Sequence, residues 1–246
     1  MILEIKNSYL TMQKKVDIIF HLAALIGIPY SYHASKSYID TNINGTYNIL
    51  NAAKINNISK TIITSTSEVY GTAQTVPITE KHRLNAQSPY AASKIGADQL
   101  AMSFYRSFGL PVTIIRPFNT FGPRQSARAI IPSIITQINN HKNLIKVGNL
   151  KPTRDFTYVE DTADAYITTI KNNNISGETI NLGNNFEVSI NSILKILKKD
   201  FGYKFDVVID KKRVRANNSE VKRLLASNLK SEILVSIDGH KKNKNK

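Results

Sequence analysis

Short β-branched apolar runs at residues 16–20, 61–65 and 112–116 alternate with longer stretches of helical periodicity at residues 38–53 and 93–108. Strands of this kind, separated by helix-length connections, predict a parallel sheet covered on both faces, an α/β fold of the doubly wound type. After Gly122-Pro123 the pattern loosens: residues 130–139 read as a helix, 179–182 as a strand ending at Gly183, and Ser189 as the N-cap of a helix running to about Asp200. This half reads as a smaller lobe interleaved with the sheet. From about Lys211 charge rises and periodicity fades, and the final Lys-Lys-Asn-Lys-Asn-Lys run reads as disordered. The expected division is residues 1–122, the domain of the sheet, residues 123–234, the smaller lobe, and residues 235–246, a basic tail.

Composition removes several classes of function. With 246 residues the chain can bury a large core, and with no cysteine it has neither disulfides nor a thiolate metal site, which fits the cytoplasm. No metal site is expected. No apolar stretch is long enough to span a bilayer, so membrane insertion is not expected. The net charge of +15 would suit an acidic partner, but the lysines are dispersed without interleaved aromatics, and a solvated basic surface is the better reading than nucleic-acid binding.

The chemistry is concentrated in Tyr90-Ala91-Ala92-Ser93-Lys94. A Tyr and a Lys four apart share a helix face, so the ammonium can sit near the phenol and lower its pKa, giving an acid/base group. Such pairs arise by chance on many helices; the context gives this one weight. The strand at residues 61–65 runs into Thr66-Ser67-Glu68, which puts hydroxyls and a carboxylate at the carboxyl end of a parallel strand, where open α/β sheets bind ligands. A Thr66 hydroxyl there could bond the substrate oxygen that Tyr90 deprotonates, and Glu68 could move a second proton. A bare N-cap or surface carboxylate is the alternative for Glu68.

These residues stand in an ordered series: His21-Leu22-Ala23-Ala24, Asp40-Thr41-Asn42, Ser65 through Gly71, Ser88-Pro89-Tyr90 with Lys94, Arg116-Pro117-Phe118-Asn119 with Gly122-Pro123-Arg124, and Thr153-Arg154-Asp155-Phe156 with Asp161. In this series the chain resembles the extended short-chain dehydrogenase/reductase superfamily, specifically its nucleotide-sugar epimerases and dehydratases. Leu25 through Tyr32, Thr64 through Thr72 and Gln125 through Arg128 are most similar in wording to UDP-N-acetylglucosamine 4,6-dehydratases of the legionaminic-acid type. The resemblance implies a Rossmann-type fold, NAD as cofactor and a UDP-sugar as substrate. It further implies a homodimer in the intact enzyme and transient oxidation at sugar C4, with Thr66, Glu68, Tyr90 and Lys94 catalytic. Leu22, Ala23, Ala24, Asn42, Thr64, Tyr90, Lys94 and Pro117 would line NAD, and Ser67, Asn119, Arg154 and Arg215 would face the substrate, unless they serve as structural hydrogen-bonders.

Two departures qualify what the resemblance implies. Many sister dehydratases carry an acidic residue where Ser67 stands, leaving Glu68 to work alone; the Thr-Ser-Glu wording also occurs in UDP-glucuronate decarboxylases. Decarboxylation is therefore the second reading and C4 epimerisation the third. The family's glycine-rich turn of the first βαβ unit has no counterpart before Val16, where no glycine occurs, so that unit is expected to be missing. A noncatalytic remnant is the corresponding reading from another class.

Overall fold

A computed structural model describes residues 16–140, 143–227 and 230. The expectations for a missing first unit and for a disordered tail at 235–246 lie outside the described residues. In chain order, β1 (Ile18–His21) is followed by α1 (Ile28–Ser31), α2 (Ser35–Tyr38), a π-helical stretch (Ile39–Asn44) and α3 (Gly45–Ile55). Next come β2 (Lys60–Thr64), a 3-10 turn (Ser67–Tyr70), α4 (Pro89–Phe108), β3 (Val112–Pro117), β4 (Asn119–Phe121) and α5 (Ile130–Asn139). The remainder is β5 (Leu144–Val147), β6 (Thr153–Tyr158), α6 (Val159–Lys171), β7 (Thr179–Leu182), β8 (Glu187–Ser189), α7 (Ile190–Lys199) and β9 (Asp206–Ile209). The fold is α/β, as the alternation predicts.

The main sheet has the order β1-β2-β3-β7 and is parallel throughout, with Ile18 opposite Lys60, Thr61 opposite Val112 and Ile114 opposite Thr179. β2 and β3 are central, and their Ile62, Ile63 and Ile114 are fully buried. That explains the unbroken β-branched runs: a strand covered on both faces needs apolar side chains on both. One face packs Ile63 and Ile114 against Leu50, Ala53, Ala101 and Phe104 of α3 and α4; the other packs Ile62 and Ile115 against Tyr166 of α6. Burying each large aliphatic of this kind contributes about 1.5–3 kcal/mol.

Helix boundaries follow local chemistry. Ser88 Oγ accepts from Ala91 N at 3.1 Å and Pro89 occupies the first turn, so α4 starts four residues before its expected Ser93. Gly109 ends it in the left-handed region, at φ 67°. The helix expected over residues 38–53 begins at α2 and is wound through the π-helical stretch before α3, an irregularity that periodicity alone does not reveal. Ser189 caps α7 as expected, accepting from Ser192 N at 3.0 Å.

The second half contributes to two layers. α6 and β7 return to the main sheet, while α5, β5, α7 and β9 enclose a separate cluster around Ile134, Ile145, Val147, Leu194 and Phe205. Between them β4, β6 and β8 form a three-stranded sheet. The segment at residues 214–227, patternless in sequence, is packed: it bridges Thr153 through Arg223 and Ile78 through Ala226, and Val221, Leu224 and Ala226 are buried. Among the described residues no helix is long and apolar enough to cross a membrane, and no group of three or more His, Cys, Asp or Glu is placed to hold a metal ion.

Candidate active site at the strand ends

β2 delivers Thr64, Ser65 and Thr66 to the carboxyl edge of the sheet, and the 3-10 turn then folds Ser67 and Glu68 back over it. Thr66 caps that turn, its Oγ1 accepting from Glu68 N at 3.2 Å. Gly71 closes the turn at φ 63°, where a side chain would also meet the Asn85 carbonyl, so the position requires glycine twice over. Ser67 is buried, 3 % exposed.

From α4, Tyr90 reaches the same edge. Its hydroxyl comes beside the Thr66 side chain, and its ring packs edge-on against Tyr38 at 6.2 Å. The expectation that Lys94 lowers the Tyr90 pKa needs correction: burial pushes the phenol up, Thr66 opposes this, and the Glu68 and Asp98 charges add to it. The Lys94 ammonium is directed elsewhere, donating to the Thr64 carbonyl at 2.6 Å, and its own pKa is drawn down by burial against the opposing pull of Asp98. Phenol and ammonium thus grip neighbouring residues of one strand end.

On the far side of Glu68 stands a cluster of four charges. Arg215 Nη1 lies 3.5 Å from Glu68 Oε1, and Arg154 Nη2 lies 3.8 Å from Glu220 Oε1. Burial lowers the Arg154 pKa, Glu68 and Glu220 raise it, and Arg215 lowers it further, so the four groups sense one another. Asn119, on β4, has its Oδ1 buried without a hydrogen-bond partner. An amide oxygen in that condition is a natural acceptor for a ligand donor.

Along the other strand ends, Leu22 and Ala23 are exposed after β1, Leu22 at 63 %, and Pro117 ends β3. Asn42 sits differently from a lining residue: fully buried, it accepts from Leu25 N at 2.8 Å and donates to Leu25 O and Ser93 Oγ, tying down the loop after β1. Thr64 Oγ1 accepts from Tyr166, whose phenol is pushed up to about 12 by burial.

Several residues of the site are missed by the sequence reading. Asp98, fully buried one turn beyond Lys94, accepts from Ser65 Oγ at 2.8 Å and from Arg116 Nε and Nη2 at 3.0 and 2.9 Å. Arg116 also donates to Tyr70, which donates to Asn181. The spacing of 90, 94 and 98 on one helix face could have announced Asp98; nothing in the sequence marks Glu220.

The residue order and the fold agree with what comparison with known proteins shows. Residues 6–233 match the family model described as GDP-mannose 4,6 dehydratase. The chain is 36% identical over 188 residues to a dTDP-D-glucose 4,6-dehydratase of Dictyostelium discoideum, covering 72% of this chain and 43% of that protein. It is 38% identical to a UDP-N-acetyl-α-D-glucosaminuronate decarboxylase of Bacillus cytotoxicus, covering 76% and 60%. The crystal structure of a UDP-glucuronic acid 4-epimerase from Bacillus cereus, in complex with UDP-glucuronic acid and NAD, superposes with a TM-score of 0.86 at 28% identity, over 96% of this chain and 74% of that one. The chain spans about half the length of the first curated relatives it matches. It belongs to the GDP-mannose 4,6-dehydratase family, within the Rossmann-type epimerases and dehydratases of nucleotide sugars.

Proposed function

We propose that this chain carries the acid–base and substrate-holding part of an NAD-dependent nucleotide-sugar 4,6-dehydratase whose substrate is UDP-N-acetylglucosamine. The observation that carries the reading is the gathering of Thr66, Glu68 and Tyr90 at one strand end, with Arg154 and Arg215 in the same charged cluster. NAD fits the described residues on their chemistry. Small Ala23 and Ala24 and the exposed apolar Leu22 follow β1, while Thr64, Tyr90, Lys94 and Pro117 offer polar groups and a flat wall along the same edge. These residues would hold it, with Asn42 fixing the loop beneath. When bound, NAD supplies a hydride acceptor that later returns the hydride, so no net redox change results.

The chain's own residues then move protons. Tyr90, with the Thr66 side chain beside its hydroxyl, takes the proton of the sugar 4-hydroxyl, and Lys94, anchored on the Thr64 carbonyl, would hold the cofactor ribose. Oxidation at C4 acidifies the C5 proton. Glu68 removes it, and with Ser67 in place of a second carboxylate Glu68 also delivers it to the departing C6 hydroxyl. Arg154 and Arg215 offer guanidinium forks for the diphosphate, and the Asn119 amide offers a further polar contact.

Ser67 and the similarity to a decarboxylase favour a second reading, loss of carbon dioxide from a UDP-uronate through the same C4 ketone. Product mass separates the reactions. With NAD and UDP-N-acetylglucosamine, the dehydratase reading expects a product lighter by one water. Loss of carbon dioxide from a UDP-uronate instead selects the second reading, an unchanged mass with inverted C4 selects an epimerase, and no conversion by a folded, NAD-bound chain rejects all three. The reading extends to a cytoplasmic homodimer paired across α3 and α4, whose Tyr47, Tyr105 and Phe108 are exposed; sedimentation at the monomer mass would remove that part.

A further inference from the structure

Asp98 is fully buried beside the strand ends, at 0 % exposure, and nothing in the proton transfers above uses it. A buried carboxylate is expensive unless both oxygens are satisfied. Here one oxygen is heavily used: Oδ2 accepts from Ser65 Oγ, Arg116 Nε and Arg116 Nη2. The other, Oδ1, is buried with no hydrogen-bond partner. Arg116 is itself pinned on its remaining side by Tyr70, whose hydroxyl accepts from Nη1 at 2.9 Å and whose ring lies 5.0 Å from the guanidinium carbon. The carboxylate is thus fixed in orientation from below, with one acceptor oxygen left over.

Lys94 is the neighbour that this arrangement serves. It lies four residues before Asp98 on α4, hence on the same helix face, and is 3 % exposed. The two side chains hold consecutive residues at the carboxyl end of β2, Lys94 Nζ on the Thr64 carbonyl and Asp98 Oδ2 on the Ser65 hydroxyl just beyond it. We propose that Asp98 is a positioning residue for Lys94, a carboxylate clamped by Arg116 that keeps the lysine charged and at the strand end where Tyr90 works.

The surroundings of Lys94 support the assignment. From α4 it faces Asp98, from β2 the Thr64 carbonyl, and from β1 His21, whose imidazole it disfavours from protonating. Of these, Asp98 is the group that pulls the Lys94 pKa upward against burial, and Lys94 in turn pulls that of Asp98 down. The inference gives Lys94 its charged state within the function proposed above and rests on that reading for its purpose. Its test requires neither cofactor nor substrate, so its failure would be distinct from failure of that reading.

The test follows the ε-carbon resonance of Lys94 against pH in selectively labelled protein, assigned by Lys94→Met. In Asp98→Asn the Lys94 titration midpoint should move to lower pH, and Asp98→Glu should restore it. Because Asp98→Asn leaves Arg116 buried beside a neutral amide, at a cost in stability, the wild-type protein is followed in parallel: the Lys94 resonance should shift as the Asp98 carboxyl protonates. A folded Asp98→Asn protein with an unmoved Lys94 midpoint, or a wild-type Lys94 signal indifferent to the Asp98 titration, would overturn the proposal.

Discussion

His21 ends β1 facing α3, 7 % exposed, with Nε2 3.2 Å from Thr46 Oγ1. Thr46 donates its own proton to the Asn42 carbonyl at 2.7 Å, so Nε2 is the donor in the His21 contact and the ring is neutral with its proton there. Burial, with the Lys94 charge adding to it, lowers the His21 pKa from 6.5 to about 4. The sign follows: in acid the unfolded chain binds a proton that the folded chain refuses, so stability is lost as pH falls from the unfolded value toward the folded one. Each unit of that window is worth about 1.4 kcal/mol, so acidification across it removes roughly 3 kcal/mol through this residue alone. Urea unfolding of the wild type and of His21→Gln, measured from about pH 7 to about pH 4.5, isolates the term, because contributions from the carboxylates are common to both proteins. The amide of Gln can still donate to Thr46, so the two proteins should be comparable near neutrality and diverge in acid, the variant losing less. Parallel stability profiles over that range would refute the assignment of His21 as a buried neutral imidazole.

Three further outcomes follow from the contacts. Lys60 Nζ donates to the carbonyls of Thr169, Ile170 and Asn172 at 2.7, 2.7 and 2.9 Å, capping the end of α6; Lys60→Met should destabilise by about 2–4 kcal/mol, read as a lower urea midpoint at unchanged slope. Arg116→Met strands the Asp98 carboxylate in the core and should destabilise by about 3–5 kcal/mol, with Asp98→Asn in the same chain recovering a large part, as a double-mutant cycle would show. Glu68→Gln should abolish release of water from the nucleotide sugar while leaving NAD affinity unchanged; water release at an undiminished rate would remove Glu68 from the proposed chemistry.

The layers of the fold were legible because burial on both faces writes itself into sequence as β-branched runs such as those of Lys60–Thr64 and Val112–Pro117, and because Ser189 is a local start signal. The gathering of side chains at the strand end was legible as spacing, since Tyr90 and Lys94 lie one turn apart and Thr66 follows its strand directly. What stayed hidden depends on partners far away in sequence. Lys60 meets carbonyls more than a hundred residues on, and Asp98 draws its meaning from Arg116 across a helix-to-strand packing. Likewise Val221, Leu224 and Ala226 form core without any period, because an extended segment docked by two isolated bridges needs only a few apolar contacts. The direction of the Tyr90 pKa escaped for a related reason: sequence spacing gives the distance to a charge, whereas the depth of burial that outweighs it is a property of the packed fold.

The central claim is that these strand ends form an NAD site served by Lys94 and Tyr90. Its most direct test is a calorimetric titration of the purified, folded chain with NAD, beside Lys94→Met. Saturable binding that the substitution weakens is the expected result; a folded, monodisperse chain that takes up no NAD, or binds it equally well without Lys94, would contradict the claim.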